Sequence, residues 1–155
     1  MNKKAIIILS VVFALIVAFI WGNSMISTDT SAKLSMFVGD VLRNILGVGD
    51  EVSTVGGVSI RKLGHFCEFF ALGIATWLLL NFTSLHTVAR SAVTAFTGMF
   101  VPLLDETIQI FSGRGHSIKD VWIDIGGFAV GVAVSVFVIL AVTSIVKKNK
   151  NTHKT

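Results

Sequence analysis

The stretch that decides the fold is Ala5 to Trp21, AIIILSVVFALIVAFIW, which carries no charge. A bilayer-spanning helix takes roughly 17 to 25 apolar residues. Helix is the only open-chain structure that pairs its own backbone groups inside hydrocarbon. Trp21 supplies an aromatic suited to the interface, and Lys3 and Lys4 supply a basic flank. A secretory signal peptide has a similar basic start, but this apolar run exceeds the usual core of one. Gly22, Asn23, Ser24 and Met25 follow it instead of a small-residue cleavage site, so the segment reads as a retained signal-anchor helix.

Three further spans follow, at residues 61–80, 89–111 and 119–146. The chain has 155 residues, 53% hydrophobic and 14% charged, with a mean hydropathy of +0.80. Soluble domains carry about 25% charged residues, so a soluble globular protein is excluded, and the length excludes a two-repeat transporter. One Cys excludes an internal disulfide and any multi-Cys metal site. The net charge of +4 does not indicate nucleic acid, because Lys3, Lys4, Lys147, Lys148, Lys150 and Lys154 lie in the two tails.

Short links, Asn81 to Thr87 and Ser112 to Ser117, make consecutive spans antiparallel. The long connection contains one helical pattern over residues 33–46, with Leu34, Phe37, Val38, Val41, Leu42, Ile45 and Leu46 on one face. Too short to span, it is expected to lie on the membrane surface or to cap the bundle. Gly47 to Gly57 reads as a flexible lead into the second span. The expected fold is thus a single all-α membrane domain over 1–155: four transmembrane helices in an antiparallel bundle, with one amphipathic surface helix between the first two. The basic tails place both termini in the cytoplasm, with the protein multi-pass in the cell membrane.

Ionisable residues within spans cost about 2.5 to 3.5 kcal/mol each at a helix centre. Here they are gathered at one end. Arg61, Lys62, His65 and Glu68 open the second span, Asp105, Glu106 and Gln109 close the third, Arg114 lies in the next loop, and Ser117, Asp120 and Asp124 open the fourth. With antiparallel neighbours, all of them collect at the outer leaflet. Arg61, His65 and Glu68 share a helix face, as do Asp105 and Gln109, and Asp120 and Asp124. The last stripe runs inward through Gly127 and Gly131, a G-x-x-x-G that permits close helix contact. Pro102, one turn before Asp105, is positioned to kink the third helix.

Structural roles compete with functional ones. Ser117 to Asp120 matches a capping box. Arg61 and Lys62 can be interfacial anchors, Arg114 an ordinary loop cation, and Cys67 a packing residue without a thiolate-stabilising motif. His86, His116 and His153 receive no role. Glu68, Asp105, Glu106 and Asp124 lie a turn or more inside their spans, where structure alone accounts for them least.

These motifs resemble the VanZ-like family of small bacterial membrane proteins. The family pattern is a K-x-x-H at the start of one span, a D-E-x-x-Q at the end of the next and an R-x-x-x-x-x-D leading into the last. Here it falls on Lys62 and His65, on Asp105, Glu106 and Gln109, and on Arg114 and Asp120. Where many members have Tyr after the histidine block, this chain has Phe69 and Phe70 and no Tyr anywhere. The resemblance implies an association with teicoplanin-type lipoglycopeptide resistance and does not supply a reaction.

Three functions are compatible with the cluster. In the first, it binds a membrane lipid headgroup, a lipid-linked cell-envelope precursor or the antibiotic, with Arg61, Lys62 and Arg114 on phosphate or carboxylate and Gln109, Ser117, Asp120 and Asp124 completing the site. In the second, it is a hydrolase or transferase on a lipid-linked substrate, with His65 as general base, Glu68 or Asp105 orienting it and Glu106 donating a proton. No resident cofactor is indicated in either. A divalent cation held by Glu68, Asp105, Asp120 and Asp124 is a variant of the second. In the third, the cluster holds the bundle together or docks it to another membrane protein.

Overall fold

The computed structural model describes residues 3–26, 54–55, 58–113 and 117–152, together with Phe37. The described residues include four long helices: α1 Lys3–Met25, α2 Ile60–Asn81, α3 Thr87–Phe111 and α4 Ile118–Thr152. All four are long and apolar enough to cross a membrane. The expected surface helix at 33–46 lies outside the described residues, as do Arg114 and His116 of the loop before α4. Part of the expected flexible lead is instead a small hairpin. In it, β1 Thr54–Val55 pairs antiparallel with β2 Val58–Ser59, with Thr54 opposite Ser59.

The tightest pair is α2 with α4. Both begin at the polar end, so they run parallel, and α3 returns between them in sequence. Phe66 meets Gly127 and Phe70 meets Gly131, an advance of four residues on each helix. A Cβ on Gly127 would lie 2.5 Å from the Phe66 carbonyl oxygen, and one on Gly131 would collide with that of Phe70. Gly73 of α2 meets the Phe128 carbonyl in the same way. In lipid, where association rests on van der Waals contact between close backbones, this small-residue seam is what brings the helices together.

Against the seam packs a core of Ile20, Phe69, Leu72, Val101 and Phe128. The α1 contribution continues through Phe13, Ile16 and Val17, one face of that helix. Its opposite face, with Ile7, Ile8, Leu15 and Phe19, is exposed, as expected where the neighbour is hydrocarbon. Helix α3 stays continuous through the buried Pro102. It ends on Ser112, whose N–H donates to the Ile108 carbonyl, followed by Gly113 at φ +70°, the left-handed position glycine takes without strain. At the other end of the bundle, Asn81 closes α2 on the Trp77 carbonyl and accepts from Arg90 of α3. There His86 caps α3 by accepting from the Ala89 N–H.

Candidate functional site

Hydroxyls inside the spans show which polar groups belong to a site. Thr76, Thr94, Thr97, Thr107, Ser135 and Thr143 each donate to the carbonyl four residues earlier on their own helix, which satisfies them in lipid. Ser24 and Ser112 also reach across helices. Ser24 Oγ donates to Asp105 Oδ1 at 2.6 Å, and Ser112 Oγ donates to the Ser24 carbonyl at 2.9 Å. Four helix termini therefore meet: the end of α1, the start of α2, the end of α3 and the start of α4.

Asp105 is the hub. It is fully buried, and its Oδ2 accepts from Gln109 Nε2 at 2.7 Å, one turn along the same helix. Gln109 Oε1 in turn accepts from Arg61 Nη2 at 3.0 Å. Arg61 thus reaches across to α3 instead of serving only as an interfacial anchor. Asn23 Nδ2 donates to Glu68 Oε1 at 2.8 Å. Between the two carboxylates sits His65, with Nδ1 3.7 Å from Glu68 Oε2 and 3.9 Å from Asp105 Oδ2. Either acid is placed to orient the imidazole.

The capping box is rearranged. Ser117 Oγ accepts from the Lys119 N–H, but the Ser117 N–H donates to Glu106 Oε1 of α3 at 2.6 Å, the position expected for Asp120. Asp120 turns to Lys62, Oδ1 to Nζ 3.2 Å, in a pair whose side chains are 24% and 41% exposed. The expected cation set of Glu68, Asp105, Asp120 and Asp124 is thereby split. What converges instead is His65, Asp105 and Asp124, all buried, with ligand atoms within 4.8 Å of one another. Cys67, read from sequence as a packing residue, is exposed on the wall of a lateral groove.

That groove, of about 570 Å³, lies between α1 and α2 and is lined by Val12, Leu15, Ile16, Phe19 and Ala71 besides Cys67 and Glu68. Sequence reasoning missed Asn23 and Ser24 as site residues, because a polar pair just beyond an apolar span is what any helix end shows. A model of the VanZ/LLP1 family matches residues 6–141. The chain belongs to the VanZ/LLP1 family. It is a multi-pass, VanZ-like membrane protein of a family associated with antibiotic resistance. No curated protein and no solved structure matches it.

Proposed function

We propose that this VanZ-like protein binds an amphiphile at the outer leaflet of the bacterial cell membrane, its termini in the cytoplasm. The polar headgroup engages Arg61, Lys62 and Arg114, and the acyl chain lies in the lateral groove. The observation that carries the reading is that Glu68 lines the apolar groove while also belonging to the polar cluster through Asn23 and His65. A ligand with one charged end and one hydrocarbon chain matches that junction. Membrane lipids, lipid-linked envelope precursors and lipoglycopeptides of the teicoplanin type share this form.

The test is direct binding of protein in detergent to phosphatidylglycerol, to a lipid-linked cell-wall precursor and to teicoplanin. Saturable binding of at least one, weakened about tenfold or more by Arg61→Ala, is expected. Absence of saturable binding to all three overturns the reading. A second reading, hydrolysis or group transfer on the same ligand, draws on His65 between two carboxylates. Turnover that disappears in His65→Gln with ligand binding retained would favour it.

A further inference from the structure

Asp124 is the anomaly of the cluster. It is 1% exposed, and neither carboxylate oxygen has a hydrogen-bond partner among the described residues. A carboxylate without partners in a low-dielectric interior is strongly unfavourable. Neighbouring groups do not relieve it. The cations at the start of α2 are engaged with other groups. Arg61 donates to Gln109, and Lys62 is drawn to Asp120.

We propose that His65, Asp105 and Asp124 bind a divalent transition cation of the Zn²⁺ or Mn²⁺ class. One imidazole nitrogen and two carboxylates form a mixed N,O,O set, which these ions accept and which Ca²⁺ and Mg²⁺, with their preference for all-oxygen shells, do not favour. Their ligand atoms lie within 4.8 Å of one another. Ligands about 2.0 to 2.1 Å from a tetrahedral zinc stand about 3.3 Å apart, so the site must contract. Asp105 is held on both oxygens by Ser24 and Gln109, the outer-shell support that orients a metal ligand. Asp124, which no hydrogen bond from the described residues restrains, is the ligand that closes on the ion. Three protein ligands leave a coordination position for water or for a ligand oxygen. This site goes beyond the amphiphile reading and does not depend on it.

The full chain, purified in detergent and stripped with chelator, is tested with Zn²⁺ by elemental analysis and with Mn²⁺ by loss of the free-ion electron paramagnetic resonance signal. About one equivalent per chain is expected, with at least tenfold weaker binding in Asp124→Asn and in His65→Gln and unchanged binding in Gly126→Ala. Metal should raise the melting temperature of the wild type and leave that of Asp124→Asn where it was. That readout keeps the test decisive even if a variant differs in stability. Equal uptake by wild type and Asp124→Asn, uptake of Ca²⁺ in preference to Zn²⁺ and Mn²⁺, or no uptake by the folded wild type overturns the proposal.

Discussion

The hydroxyl of Ser24, at the end of the first span, donates to the fully buried carboxylate of Asp105 near the end of the third, across 81 positions of sequence and 2.6 Å of space. That bond makes α1 a wall of the site as well as an anchor. Ser24→Ala leaves Asp105 Oδ1 without this donor, and a buried acceptor stripped of its partner costs about 1 to 3 kcal/mol. Thermal unfolding in detergent should show a lower midpoint. An unchanged midpoint would mean that the Ser24 hydroxyl contributes nothing to holding α1 in place.

Glu106 and Ser117 separate capping from chemistry. Glutamine keeps an oxygen for the Ser117 N–H, so Glu106→Gln should unfold within about 0.5 kcal/mol of wild type, whereas Glu106→Ala should lose about 1 to 3 kcal/mol. If Glu106→Gln stays folded yet loses ligand binding or turnover, the charge itself is used. If both variants lose only stability, Glu106 serves as a cap.

The parallel seam between α2 and α4 has a built-in control. Gly131→Leu drives a side chain into the Phe70 carbonyl, and overpacking of this kind costs about 1 to 3 kcal/mol or more. Gly126 has nothing within 4 Å of where its Cβ would be, so Gly126→Ala should be neutral, or more stable by up to about 1 kcal/mol. Equal yields of folded Gly131→Leu and Gly126→Ala would contradict the close approach.

Lys62 and Asp120 are both partly exposed, and exposed pairs contribute about 0 to 1 kcal/mol. Lys62→Met is therefore expected to keep its melting temperature while weakening binding of phosphatidylglycerol. A large loss of stability with binding intact would make Lys62 a structural residue.

Filling the lateral groove tests the acyl-chain half of the proposal. Ala71→Trp, on the groove wall, should reduce amphiphile affinity about tenfold or more at unchanged melting temperature. Binding that persists at wild-type strength would place the hydrocarbon chain elsewhere.

Four spans, their alternating directions and the gathering of ionisable groups at one end all follow from Ala5–Trp21, the motif around His65, Asp105-Glu106 and the Asp120, Asp124, Gly127, Gly131 stripe. Hydropathy reports depth and helical periodicity reports which residues share a face, and both are properties of a single segment. Partnership across helices is another matter. That Ser24 serves Asp105, that Glu106 rather than Asp120 receives the Ser117 N–H, that Asp120 goes to Lys62, and that Asp124 is left facing His65 and Asp105 depend on the rotation and register of each helix. The backbone contact at Gly73, Gly127 and Gly131 sets that rotation for α2 and α4. Sequence alone determined a membrane bundle with a polar end. Only tertiary packing decided which acid each donor meets, because a shift of one residue along a helix turns its side chains by about 100°.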